Sequence, residues 1–157
     1  MSDEIAEDIA RTAHAGQVDK AGQPYIGHVE RVVANLLRRW PDATDDEVAA
    51  AWLHDVIEDT RWNAQALLEA GVSLFATAIV VEVSRPGWDF MPYLNWIEVL
   101  AELGSHSAIR VKLADNADNS APWRVALIPA GEESLAARYR PARALLERGL
   151  LRFEGTT

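Results

Sequence analysis

Apolar residues recur at helical spacing along the chain. Near the N-terminus, Ile5, Ala6, Ile9, Ala10 and Ala13 form one stripe of a helix over residues 2–16, with Ser2 as its N-cap and Asp3 and Glu4 in its first turn. The Gly- and Pro-bearing stretch 16–24 reads as a loop whose one cation is Lys20. A second helix over 25–40 presents Ile26, Val29, Val32, Val33, Leu36, Leu37 and Trp40, and Pro41 ends it. Thr44 and Glu47 match a capping box and open a third helix that runs through Ala49 to Ile57. Shorter helices are expected over 63–70, stopped by Gly71, and over 72–83, followed by a turn at 84–87. Trp88, Asp89, Phe90 and Pro92 form a loop with exposed-looking aromatics, a lid or a packed connection. A helix over 93–103 ends at Gly104, and Ser105 caps the next, which carries Ile109, Val111, Leu113, Ala114 and Ala117. After a short segment at 122–129, a final helix over 132–153 bears the stripe Leu135, Tyr139, Ala142, Leu145, Leu146, Leu150 and Phe153. Pro141 predicts a kink or break within it. The pattern predicts an all-α helical bundle forming a single domain over residues 1–157.

The length of 157 residues is enough for one real core. No apolar run approaches the ~18 residues of a membrane span, and the acidic start lacks the pattern of a signal peptide, so a cytoplasmic location is the default expectation. The chain has no cysteine, which excludes a disulfide framework and thiolate ligands. A net charge of −9 argues against nucleic-acid binding, although local cations or a metal can invert the sign within a pocket. Tryptophan-rich surface loops permit a homo-oligomer without demanding one.

Against this helical background, the stretch 51–60 stands out. His54, Asp55, Glu58 and Asp59 follow the apolar Ala51, Trp52 and Leu53. On a continuous helix His54 would face Glu58, and Asp55 would face Asp59. One imidazole and three carboxylates beside an apolar core cost several kcal/mol unless compensated. A divalent cation is the simplest compensation, and a solvated helix end is the alternative. That alternative is weakened because acids at a helix C-terminus oppose the macrodipole. His28, beside the apolar face of the second helix, is either a core histidine or a second imidazole ligand. Asp115, at the edge of the apolar face of the 105–119 helix, is the best further carboxylate, with Asn119 one turn on. His14 reads as a structural hydrogen-bonder. Nitrogen and oxygen donors without thiolate suit Mn, Fe, Zn or Mg.

The order His28, His54-Asp55, Asp115 resembles the HD-domain metal-dependent phosphohydrolases. The likeness extends to Ala13-His14-Ala15-Gly16-Gln17, Lys20-Ala21-Gly22-Gln23-Pro24-Tyr25-Ile26-Gly27-His28, Leu53-His54-Asp55-Val56-Ile57-Glu58-Asp59-Thr60 and Val111-Lys112-Leu113-Ala114-Asp115 with Asn119. Together these resemble the hydrolase domain of RelA/SpoT-type enzymes and the stand-alone small alarmone hydrolases. The resemblance implies an all-helical HD domain holding one Mn2+, or another divalent metal, on His28, His54, Asp55 and Asp115. It implies that Glu58 and Asp59 handle the attacking water, and that the 3′-pyrophosphate of a guanosine (or adenosine) 3′,5′-polyphosphate is the group removed. Lys20 and Asn119 match positions that contact the nucleotide, and Tyr139 matches a tyrosine near the phosphates. Lys112 is a further candidate to offset phosphoryl charge, a solvated surface lysine being the alternative. Two positions depart from the pattern: Asp19 stands where the resembling enzymes carry an arginine that lies against the purine, and Asn116 where they carry Arg or Lys. The alternatives are an HD phosphomonoesterase or phosphodiesterase acting on another nucleotide, and a non-catalytic nucleotide-binding module. The intact set of acidic and imidazole residues argues against the last.

Overall fold

Helices account for the regular structure of the chain. The computed structural model describes residues 2–87 and 91–154, with the side chains of Ser2 and Glu133 outside that description. The helices are α1 (Ser2–Ala13), α2 (Tyr25–Arg39), α3 (Asp45–Leu53), α4 (Val56–Asp59), α5 (Ala64–Glu69), α6 (Leu74–Val83), α7 (Tyr93–Leu103), α8 (His106–Asn119), α9 (Pro122–Val125), α10 (Glu133–Ala137) and α11 (Tyr139–Leu150), followed by a 3-10 turn at Leu151–Phe153. Among the described residues the one β contact is an isolated bridge between Val18 and Pro24. The expected Ser2 cap and the 88–90 loop lie outside the described side chains and residues.

Local sequence explains where most helices begin. Thr44 Oγ1 accepts from the Glu47 amide at 3.2 Å, and the Glu47 carboxylate accepts from the Thr44 amide at 2.8 Å. That completes the capping box at α3. Asn63, Ser73 and Ser105 each accept an amide hydrogen bond at the first turns of α5, α6 and α8. The apolar run at 72–83 therefore becomes helical only from Leu74, where Ser73 supplies the cap. The expected helix over 132–153 is broken at Arg138. Pro141 lies in the first turn of α11, where its missing N–H costs nothing, and it bars α10 from running through.

Two helices organise the packing. α3 touches α1, α2, α6 and α8, while α8 also touches α2, α6 and α11, and α11 closes against α7. Ala49, Ala50 and Ala51 of α3 are fully buried, and their small size lets the surrounding helices come close. Leu36, Leu53, Leu67, Ile97, Ile109 and Leu146 fill the core between them, each contributing roughly 1.5–3 kcal/mol through burial. At the α7–α11 crossing a Cβ on Gly149 would sit 2.5 Å from the Ala101 carbonyl oxygen, so glycine is required there. No helix among the described residues is long and apolar enough to cross a membrane.

α8 departs from an ordinary amphipathic helix. Arg110 through Asn116 are buried on every side, including Lys112, Asp115 and Asn116. A helix buried all round is normally apolar. The polar residues in this one mark the chemical centre of the molecule.

Candidate active site

The helix expected to run from Ala49 through Ile57 is interrupted at its most polar point. His54 Nδ1 donates to the Ala51 carbonyl at 2.8 Å, satisfying one of the carbonyls left open at the end of α3. Asp55 then adopts φ −107° and ψ −2°, and α4 starts afresh at Val56. The simple one-face arrangement expected for a continuous helix is thereby replaced. His54 and Asp55 turn into the core between α2, α3 and α8, whereas Glu58 and Asp59 are solvent-accessible. Glu58 and Asp59 form the second half of the single turn of α4, so they do not terminate a long helix and face no extended macrodipole.

Two further elements converge on this turn. His28 comes from the first turn of α2 and Asp115 from α8. His28 Nε2 lies 3.3 Å from His54 Nε2, 3.2 Å from Asp115 Oδ1 and 3.6 Å from Asp55 Oδ2. His54 Nε2 lies 2.8 Å from Asp55 Oδ2 and 3.7 Å from Asp115 Oδ1. Ligand bonds of ~2.1 Å to a divalent ion separate neighbouring donors by about 3.0–3.4 Å. One donor atom from each of the four residues lies within 4.8 Å of the others, so two imidazoles and two carboxylates fit a single divalent cation.

The electrostatics show what the cluster requires. Burial disfavours charge on His28, yet Asp115, Asp118 and Asp55 outweigh it and push the imidazole up to about 10. The same opposition raises His54, with Asp55 the main counter to burial. Burial would raise the carboxyls, but His54 and His28 hold Asp55 low, and Lys112 and His28 hold Asp115 low. The acids and imidazoles thus depend on one another for compensation in a buried setting, and a divalent ion on the same donors would supply that compensation and displace protons from them.

Neighbouring groups orient the donors. The Tyr25 hydroxyl donates to Asp55 Oδ2 at 2.5 Å. Burial, with the charges on Asp55 and Asp59, raises the Tyr25 phenol far above its usual range, so it remains a donor. Asn119 Nδ2 donates to Asp115 Oδ1 at 2.6 Å, and Lys112 Nζ pairs with Asp115 Oδ2 at 2.8 Å. Lys112 is buried rather than a surface lysine, with its ammonium 4.9 Å from the Trp96 ring centre. Burial alone would lower its pKa, but Asp115, Tyr93 and Asp55 raise it and keep it charged. His14, kept apart from the cluster, shares a hydrogen bond with Gln17 Oε1 at 2.8 Å and packs its ring 4.7 Å from that of Tyr25.

The cluster opens into a cavity of about 330 Å3. Its walls include His28, Asp55 and Asp115, with Glu58 and Asp59 beside them, and His54 lies behind in the cluster. The sequence candidates Lys20, Lys112, Asn119 and Tyr139 also line it. So do groups without any local sequence signal: Arg85, Arg124, Arg138 and Tyr93. Arg138 lies over the Tyr93 ring at 4.3 Å, and its buried Nε has no hydrogen-bond partner among the described residues. Burial and the neighbouring Arg138 lower the Lys20 pKa, as expected where cations gather around space for an anion. Tyr25 and Asp118 were not singled out from the sequence either. Each lies three residues from a ligand candidate on the same helix, a spacing that places it on the same face.

Both departures from the family pattern have structural explanations. Asp19 is buried, and its Oδ1 accepts from the amides of Ala21 and Gln23 at 2.9 Å each. It therefore braces the 17–24 loop, which turns at Gly22 with φ +73°. Asn116, at the position where the resembling enzymes carry Arg or Lys, does not line the cavity. Its Nδ2 donates to the Tyr139 carbonyl at 2.9 Å and ties α8 to the start of α11.

No family model matches the chain. Curated relatives match it over short segments. A guanosine-3′,5′-bis(diphosphate) 3′-pyrophosphohydrolase of Haemophilus influenzae is 44% identical over 61 residues, 39% of this chain and 9% of that protein. A probable GTP pyrophosphokinase of Mycobacterium leprae is 39% identical over 64 residues, 41% of this chain and 8% of that protein. The bifunctional (p)ppGpp synthase/hydrolase SpoT of Escherichia coli is 46% identical over 52 residues, 33% of this chain and 7% of that protein. The matched segments thus span less than a tenth of the length of these relatives. A solved structure of a metazoan ortholog of SpoT, described as hydrolysing ppGpp and acting in starvation responses, covers 99% of this chain and 97% of its own. Its TM-score is 0.70 at 21% sequence identity. In its helical fold, and in local sequence shared with the curated relatives, the chain resembles the HD-domain hydrolases of RelA/SpoT type.

Proposed function

We propose that the chain is a metal-dependent phosphohydrolase that removes the 3′-pyrophosphate from guanosine (or adenosine) 3′,5′-polyphosphates, with Mn2+ on His28, His54, Asp55 and Asp115. The observation that carries this reading is the four-residue donor cluster opening directly into a cavity lined by Lys20, Arg85 and Arg138. A divalent ion bound there would supply Lewis acidity, polarising a phosphoryl oxygen and making water a better nucleophile at neutral pH.

The chain's own groups supply the rest. Glu58 and Asp59 line the cavity beside Asp55 and are the carboxylates able to orient the attacking water and take its proton. The Arg85 amide donates to the Glu58 carboxylate and fixes that side chain at the cavity wall. Lys20 and Arg138 are placed to bind phosphate oxygens, Arg138 lying over the Tyr93 ring. Asn119 and Lys112 hold the two oxygens of Asp115, and the Lys112 charge remains close to the space where negative charge develops. Water attack on the 3′ phosphorus breaks its bond to the ribose oxygen, releasing pyrophosphate and leaving the nucleoside 5′-phosphates intact.

The test is product analysis with Mn2+ added, across guanosine and adenosine 3′,5′-polyphosphates and ordinary mono- and triphosphates. Pyrophosphate is expected from a 3′,5′-polyphosphate. Orthophosphate from a monophosphate, without pyrophosphate from the alarmones, would instead make the chain a nucleotide phosphomonoesterase.

A further inference from the structure

His28 presents Nε2 to the donor cluster, so its other nitrogen faces away from the cavity, toward Asp118. The Nδ1 to Asp118 Oδ2 distance is 2.7 Å, and both side chains are buried. Asp118 also accepts from Arg31 Nε at 2.7 Å through Oδ1, and Arg124 Nη1 bonds to its Oδ2. Arg124 reaches on to Asp19, with its Nη2 3.3 Å from Asp19 Oδ2. Charges therefore alternate from the 17–24 loop to the imidazole: Asp19, Arg124, Asp118, then His28, with Arg31 on the flank.

We propose that Asp118 is the positioning residue for His28: it fixes the ring and its tautomer for metal ligation and is itself clamped by Arg31 and Arg124. The inference rests on the metal centre proposed above. Ligation through Nε2 requires the lone pair on that nitrogen, so the proton must sit on Nδ1. Arg124 Nη1 also lies 2.5 Å from Nδ1. Both atoms carry protons in the ligating tautomer, so Arg124 cannot be the partner. Asp118 can, as an acceptor. A carboxylate behind a ligating imidazole makes the ring more basic and removes its rotational freedom.

The clamp explains how so buried a carboxylate stays ionised. An isolated buried charge is costly, but Asp118 faces two guanidiniums and an imidazole N–H. Burial would raise its carboxyl, yet His28, Arg31 and Arg124 bring it down to about 2. Arg124 is in turn held between Asp118 and Asp19, so its charge is committed to the scaffold and not free for a phosphate. Asp19 thus fastens the loop carrying Lys20 to the same network that aims His28. Arg31 is held on its other side by the Trp123 ring, 4.8 Å away.

The deciding measurement is Mn2+ affinity without substrate, by competition of the full chain with a chromophoric chelator. Asp118→Ala is expected to weaken Mn2+ binding roughly 10–100-fold. Asp118→Asn should lose less, since its amide oxygen still accepts from Nδ1. A folded Asp118→Ala protein with wild-type affinity overturns the inference while leaving the metal centre intact. A wild-type chain that binds no divalent metal overturns the metal centre and this inference together. Should both variants unfold, nitrogen-15 spectra of the Zn2+-loaded wild-type protein decide. A protected Nδ1 proton on His28, shifted downfield, supports Asp118 as partner, and the Nε2-protonated tautomer overturns it.

Discussion

The Tyr25 hydroxyl and Asp55 Oδ2 are 2.5 Å apart, joining the first turn of α2 to the turn between α3 and α4. The same oxygen faces His54 Nε2 at 2.8 Å, so Tyr25 restricts where a candidate metal ligand can point. Tyr25→Phe removes the bond without changing ring packing against His14 and His28. It is expected to weaken divalent-metal binding by about 10-fold, read by chelator competition, with little change in helix content by circular dichroism. Unchanged affinity would show that Asp55 is oriented without it.

Asp55 and Glu58 are three residues apart yet separate into different roles. Asp55→Ala is expected to lose bound metal and hydrolysis together. Glu58→Ala should keep the metal, measured by elemental analysis after gel filtration, while kcat falls roughly 10²–10⁴-fold. Full activity in Glu58→Ala would remove Glu58 from the proton-transfer role.

Glu58 also carries a pH signature. Although the side chain reaches solvent, its place at the cavity wall strips part of its hydration and raises its carboxyl; Lys112 and the Arg85 amide oppose this, and Asp55 and Asp59 add to the rise. A carboxyl with a raised folded-state pKa favours the fold most below its unfolded pKa, and that contribution is lost as pH rises through the folded value. In the metal-free protein, Glu58→Gln should therefore unfold at higher urea concentration than wild type at pH 7. The gap should narrow as pH falls toward the ordinary glutamate range. A variant less stable than wild type at pH 7 would contradict the sign.

Glu47 links a helix start to the core. It completes the Thr44 capping box and pairs with Arg110 of α8 at 3.2 Å, with both partners buried. Glu47→Ala is expected to cost about 3–5 kcal/mol, because it leaves a buried guanidinium short of a partner. Equilibrium denaturation checks this. A loss under ~1 kcal/mol would mean that Asp42, 2.8 Å from Arg110, suffices alone.

Helix positions were legible because apolar spacing and caps are local. Ser73, Ser105 and Thr44 act within three residues of themselves, so a linear pattern carries them. The candidate ligands were legible for a related reason: His54-Asp55 follows the apolar run Ala51-Trp52-Leu53, and Asp115 stands at the edge of the apolar face of its helix, positions visible without coordinates. The interruption at His54–Asp55 was not, because it depends on an imidazole choosing the Ala51 carbonyl over a continued helix.

The chain's residue order was enough to establish a helical bundle, its capping points and a histidine–aspartate set suited to a divalent ion. Contacts across long sequence separations were decided by folding. Asp118 meets His28 across 90 positions, and Arg124 of α9 meets Asp19 of the 17–24 loop across a still longer separation. Such pairings depend on side-chain direction and helix crossing geometry. No periodicity encodes them, so an aspartate that looks like a departure in the sequence is, in the folded chain, a brace for the loop beside the proposed metal centre.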